Sequence, residues 1–209
     1  MEEPPAAPKR RRRANGEASR SKILDAATEI ASERGYEGTS IGLVSKRCGL
    51  PASSIYWHFT DKDDLIAAVI ERSFAQWLTA WDLPEADTPA EQLAEMSSQV
   101  AKALLDSPDF LRLGLMLTLE RRPVEPRARE MFLKVRAEAH DRIRATTAML
   151  APHLDAAAVD QLATYTIAGA DGLFIAHEIG GDSVDLPALF AMHIHAVVTL
   201  ATTTARGVE

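Results

Sequence analysis

Residues 35–65 read GYEGTSIGLVSKRCGLPASSIYWHFTDKDDL, and the spacing of glycine, proline and apolar residues in this stretch sets the fold class. Thr39 can cap a helix whose apolar members are Ile41 and Val44, with Leu43 beside them, and Gly49 ends it. Leu50-Pro51-Ala52 is then a tight link, because a proline near the start of a helix removes an N–H that has no partner there anyway. A short third helix follows through Ser53–Phe59. Thr60 caps a long fourth one with Asp61, Asp63 and Asp64 in its first turn, where negative charge suits the helix dipole. Upstream, Ile23, Ala26, Ala27, Ile30 and Ala31 recur at helical spacing and stop at Gly35. Three short helices with a glycine in the turn between the second and third form a helix-turn-helix, whose later helix enters the major groove of DNA.

Working outward, the remaining breaks also separate helices. Thr88-Pro89 starts one that runs to about Asp106, and Ser107-Pro108 starts another that runs to about Arg122. Pro123 and Pro126 precede an amphipathic stretch from Arg127 to Leu150. Pro152 and Asp155 reset the chain for a helix reaching Gly180-Gly181, and Asp185 and Pro187 open the last. No run of alternating β-branched residues is present, so the chain is predicted to be all-α. At the other end, prolines 4, 5 and 8 and the run Lys9-Arg10-Arg11-Arg12-Arg13 predict a disordered basic arm over residues 1–18. Such an arm is either a solvated tail or a source of phosphate and minor-groove contacts. The predicted organisation is therefore an arm over 1–18, a helix-turn-helix domain over 19–66 and a larger helical domain over 67–209.

Composition fits this reading. The chain has 209 residues, of which 46% are hydrophobic and 25% charged, typical of a globular protein with a sizeable core. The single cysteine, Cys48, rules out an internal disulfide and suits a reducing compartment. No secretory signal is visible after Met1. The segment Leu186–Ala205 carries no formal charge, yet Pro187, His193, His195 and several threonines weaken a membrane reading. A cytoplasmic protein without a membrane partner is expected. The net charge of -7 is unevenly distributed: residues 1–62 sum to +3 and residues 63–209 to -10. For a polyanionic partner the local clustering matters more than the total.

Three stretches now carry a specific likeness: Gly35–Ile41, Val44–Leu50 and Ser54–Leu65. Together they resemble the DNA-binding domain of the tetracycline-repressor (TetR) family, over about residues 19 to 66. The residues themselves agree with what that resemblance implies. Ser40, at the start of the second helix, offers a hydroxyl where backbone N–H groups point outward, a natural phosphate contact. Ala52, Ser53 and Ser54 are small, so the third helix can approach closely, and serine hydroxyls bond to several base edges. Tyr56, Trp57 and His58 cannot all face the core of so short a helix, whereas Ile55 and Phe59 can. A packed aromatic corner is the alternative reading of this cluster. The resemblance implies phosphate contacts from the aromatic and histidine positions and a further one from Lys62. Where the family often has lysine followed by glycine, this chain has Ala52 and Ser53. A different preferred sequence and more reliance on the arm are therefore expected.

The last two helices show more than one apolar face. Val159, Leu162, Thr166, Ala170, Leu173 and His177 form one stripe, and Tyr165, Ala168 and Ile175 lie elsewhere. The final helix repeats this with Leu186, Leu189, Phe190, His193, Val197 and Leu200 against Ile194 and Val198. Such helices bury one face on their own domain and another on a second chain, which predicts a homodimer. The resemblance makes this a four-helix bundle between subunits. It also implies an internal cavity for a small effector, for which Trp77, Trp81, Phe110, Leu113, Met116, Leu117, Phe132, Tyr165, Phe174 and His177 are candidates, with His140 a further polar group. Met and aromatic residues at helical spacing are as readily plain core. His193 and His195, two apart, face different ways and do not chelate as an i, i+4 pair could. No nucleophile turn or phosphate loop is present, so neither an enzyme nor a cofactor is expected. The expected function is a repressor released from an inverted-repeat operator by a small, partly apolar ligand. The alternatives are a non-specific DNA-binding protein and a ligand-binding protein that no longer reads DNA.

Overall fold

A computed structural model describes residues 8–79, 89–120 and 126–203, and every regular element among them is helical. The α-helices are α1 (Pro8–Gly38), α2 (Ile41–Cys48), α3 (Ala52–His58), α4 (Lys62–Leu78), α5 (Pro89–Asp106), α6 (Asp109–Leu119), α7 (Arg127–Leu150), α8 (Ala156–Gly180) and α9 (Leu186–Thr203), with one 3-10 turn at Gly181–Ser183. The fold is all-α. No described helix is long and apolar enough to cross a membrane.

Helix starts follow capping chemistry, with shifts of one residue from expectation. Ser40, not Thr39, caps α2: its Oγ accepts from the Leu43 N–H at 3.3 Å. Thr39 is buried and its hydroxyl donates instead to the Gly35 carbonyl at 2.8 Å. Both residues are good caps, and burial decides between them. At α4, the Asp61 carboxylate accepts from the Asp64 N–H, while Thr60 bonds the Asp64 carboxylate through both its N–H and its hydroxyl. Asp155 and Asp185 cap α8 and α9 as their sequence positions suggest. Helix α1 differs more, because it begins at Pro8, inside the segment expected to be disordered. Lysine, arginine and alanine are strong helix formers, and here propensity prevails over like-charge repulsion. Gly35, at φ 68° and ψ -175°, breaks α1 near the predicted stop.

Two compact units divide the described chain. One comprises residues 1–73 and 109–133, the other residues 74–108 and 134–209, and the division at 73/74 falls inside α4. In the first unit, Ile23, Leu24, Ala27 and Ile30 of α1 form a core with Val44, Ile55, Leu65, Ile66 and Ile70. Helix α6 belongs to this core through Phe110, Leu111, Leu113 and Leu117. Gly114 permits the close seating of Phe132, since a Cβ there would lie 1.9 Å from the ring. Asp63 then fixes the start of α7, accepting from the N–H groups of Arg127 (2.5 Å) and Ala128 (3.1 Å) and from the Tyr36 hydroxyl (3.2 Å). In the second unit α9 packs on both α5 and α8, with Val100, Ala101, Leu104, Ala163, Phe190 and Val197 buried. His193 lies against Gly169 and donates to the Thr166 carbonyl at 2.9 Å.

Candidate nucleic-acid interface and ligand pocket

The turn between α2 and α3 is held by local chemistry. Gly49 takes the left-handed conformation (φ 69°, ψ 16°) and its N–H donates to the Ser45 carbonyl at 3.1 Å. A residue with a side chain would be strained there by roughly 1–2 kcal/mol. Ser45 closes the turn by donating its hydroxyl to the Leu50 carbonyl at 2.7 Å. Pro51, at φ -63°, then starts α3 without needing a donor.

Helix α3 has two distinct faces. Ile55 is 0% exposed and Phe59 is also buried, so the inward pair is the expected one. Tyr56 (57%) and Trp57 (76%) are exposed together with Ser53, while Ala52, Ser54 and His58 are partly covered. Leaving two large aromatic rings in water on a seven-residue helix is unfavourable for a monomeric surface and marks a contact face. Trp57 meets His58 edge-on at 4.6 Å and lies over Gly16 of α1, where an added Cβ would be 3.7 Å from the indole. Arg20 sits 5.4 Å above the Phe59 ring. Partial burial and the Arg20 charge hold the His58 imidazole below its ordinary value of 6.5. Ser40 lies at the α2 N-terminus, where its oxygen serves as the cap. Lys62 is held within the protein: its ammonium donates to the Tyr36 carbonyl at 3.2 Å, lies 4.2 Å from the Tyr36 ring centre and is 3.7 Å from Glu37.

The residues expected to surround a ligand divide between the two units. Phe110, Leu113, Leu117 and Phe132 are core of the first, and Met116 of the same unit is 47% exposed, its methyl near Gly35. Trp77 and Phe174 are buried in the second unit, while Tyr165 is half exposed and 6.0 Å from the His193 ring. His177 bonds the Val184 carbonyl at 3.2 Å. Trp81 lies outside the described residues. None of these lines a pocket that lies between α7 and α8 in the second unit.

That pocket is open, about 350 Å³ in volume, and is walled by Arg136, Ala137 and His140 of α7 and by Thr164, Ile167, Ala168 and Asp171 of α8. Only His140 was singled out by sequence. Arg136 and Asp171 pair side-on, with Nη1–Oδ1 2.9 Å and Nη2–Oδ2 2.5 Å. Burial pushes the Asp171 carboxyl above its usual range, against the opposing pull of Arg136. His140 lies 3.3 Å from the Thr164 hydroxyl and 3.8 Å from Asp160. The sequence signal was present in Arg136 and His140, one helical turn apart, but these are polar residues and carry no apolar periodicity.

With this geometry in place, comparison with known proteins is informative. Residues 23–69, from the middle of α1 into α4, match the family model described as bacterial regulatory proteins, tetR family. The transcriptional repressor Rv1353c of Mycobacterium tuberculosis is 32% identical over 100 residues, which are 48% of this chain and 38% of that protein. The chain therefore aligns with well under half the length of this relative. Over most of the chain the likeness is structural. TylP, a TetR regulator from Streptomyces fradiae, superposes with a TM-score of 0.66 at 25% identity, covering 88% of this chain and 86% of TylP. FadR from Bacillus subtilis, solved with stearoyl-CoA, gives 0.64 at 22% identity, covering 90% of this chain and 99% of FadR. A helix-turn-helix in which α3 presents Ser53, Tyr56 and Trp57, a family match centred on that unit and a helical fold shared with solved regulators lead to one assignment: residues 23–69 are a unit of the tetR family of bacterial regulatory proteins.

Proposed function

We propose that the chain is a repressor that binds an inverted-repeat DNA operator as a homodimer and leaves it when a small, partly apolar ligand binds. The observation that carries this reading is the outward face of α3. Small residues at its start and two exposed aromatic rings at its end suit a helix inserted in the major groove with phosphates at its margin. In this reading Ser53, Ser54 and Ala52 meet base edges, and Ser40, Tyr56, Trp57 and His58 meet the backbone. Lys62 adds its charge after exchanging Glu37 for a phosphate. The ligand-response part is supported by the FadR structure with stearoyl-CoA.

Homodimer formation has its own support. On α8, Tyr165, Gly172, Ile175 and Ile179 are exposed at spacings of seven, three and four, along one seam of a helix that packs against another. Nothing lies within 4 Å of a Cβ added at Gly172, and Met192 of α9 is likewise exposed. Selection of bound duplexes from a random DNA library, at physiological salt with competitor DNA, tests the proposal. An enriched inverted repeat is expected, and replacing Ser53 or Ser54 by alanine should change the sequence preferred. Binding without enrichment would instead point to non-specific coating.

A further inference from the structure

The α7–α8 pocket differs in kind from an apolar core cavity. Its apolar lining is Ala137, Ile167 and Ala168, and its polar lining is the Arg136–Asp171 ion pair together with His140 and Thr164. Its volume is at the small end of the ~300–1,000 Å³ typical of small-molecule sites. All seven lining residues belong to the second unit.

The chemistry of the ion pair selects the charge of the occupant. Arg136 and Asp171 are largely shielded, with 25% and 19% of their side chains exposed. A cationic ligand bound to Asp171 would draw the carboxylate away from a sheltered guanidinium, which cannot lose its proton. An anionic ligand bound to Arg136 displaces a carboxylate that can take up one proton from solvent, become neutral and donate a hydrogen bond to the newcomer. The groups around Asp171 permit this. Arg136 and His140 face the pocket from α7, and Asp160, on the same helix as Asp171, lies beside His140 rather than in the pocket wall. Burial raises the Asp171 carboxyl above its usual range against the pull of Arg136, which makes that protonation less costly. The guanidinium then keeps a side-on carboxylate partner throughout.

We propose that the α7–α8 pocket binds a small carboxylate with an apolar body, whose carboxylate takes the place of Asp171 on Arg136 while the body lies on Ala137, Ile167 and Ala168. Ligands with a second hydrogen-bonding atom reach His140 and Thr164. The inference concerns ligand binding alone, so it stands apart from whether occupancy releases DNA.

Calorimetric titration of the full-length protein without DNA, using octanoate with 1-octanol and octylamine as matched controls, tests it. Octanoate should bind at least about tenfold more tightly than either control, and Arg136→Gln should abolish the difference. Asp171→Asn removes the need for proton uptake while keeping a donor. It should therefore tighten octanoate binding, by about tenfold for each pH unit between the assay and the Asp171 pKa. Ala137→Trp should fill the pocket and block binding. Thermal melts check that each variant folds, and if Arg136→Gln does not, Asp171→Asn decides. Equal binding of the alcohol or amine, no binding of octanoate, or an Asp171→Asn variant that binds no better would each overturn the proposal. If octanoate binds as described but leaves operator binding unchanged, the carboxylate site stands and the ligand-release reading fails.

Discussion

At the scale of single residues, Ser40 and His58 show how the same side chain serves the fold and the proposed interface. The oxygen of Ser40 accepts from the Leu43 N–H, which leaves its hydroxyl proton to donate to a phosphate. Aspartate at this position would keep the cap and replace the donor with a negative charge. Ser40→Asp is expected to melt within about 1 kcal/mol of the parent while losing most DNA affinity, whereas Ser40→Ala should lower both. Calorimetric melts and filter binding separate the two. His58 is held below 6.5, so its neutral form is favoured in the free protein; it contributes stability above that pH, which is lost as the pH falls through its lowered value. A phosphate beside it reverses the preference. DNA affinity should therefore rise as the pH drops below 6.5, and His58→Gln should flatten that rise. Equal pH profiles for the two proteins would remove His58 from the interface. Sequence made the inward and outward residues of α3 legible, because a short helix has few ways to hide Ile55 and Phe59. It did not show that Lys62 is held against Tyr36, since that contact joins residues far apart in the chain.

At the scale of elements, the starts and stops were readable because capping and glycine conformation are local. Gly49, Asp155 and Asp185 act where their chemistry says they should. The start of α7 also lay at Arg127 in the sequence, but its cap did not, because the carboxylate that serves it comes from Asp63, 64 residues away. Asp63→Ala should destabilise the protein by about 1–2 kcal/mol through the loss of those N–H partners, while Asp63→Asn, which keeps an acceptor, should lose less. Urea midpoints measure this, and identical midpoints for the two variants would show that the cap contributes nothing. Gly114 offers a sharper case. Its Cβ would collide with Phe132, so Gly114→Ala should cost roughly 1–3 kcal/mol despite the better helix propensity of alanine. The α7–α8 pocket is not legible along the chain, because two elements are needed to form it. Arg136 and His140 lie on the polar side of an amphipathic helix, and only its separation from α8 turns that side into a wall.

At the scale of the molecule, the all-α class was plain from the lack of strand patterns, but the way the chain shares itself between units was not. Paired apolar stripes on α8 and α9 lead to a dimer prediction: Ile179→Glu combined with Met192→Glu should shift the sedimentation coefficient to that of a monomer at micromolar concentration. Unaltered sedimentation would place the interface elsewhere. Deleting residues 1–14 should reduce the salt dependence of DNA binding by slightly under one log unit per lost phosphate contact. An unchanged slope would leave the basic run as a solubility device. The first unit has a further consequence for how the protein is made. Residues 109–133 complete it, supplying Phe110, Leu113 and Leu117 to its core and the partners of Asp63. During synthesis, at roughly 5–20 residues per second, the DNA-reading helices must wait for this later segment to leave the ribosome before their core can close. A nascent chain stalled before α6 emerges would therefore hold α2 and α3 without a finished support, and truncation at the end of the family match would do the same permanently.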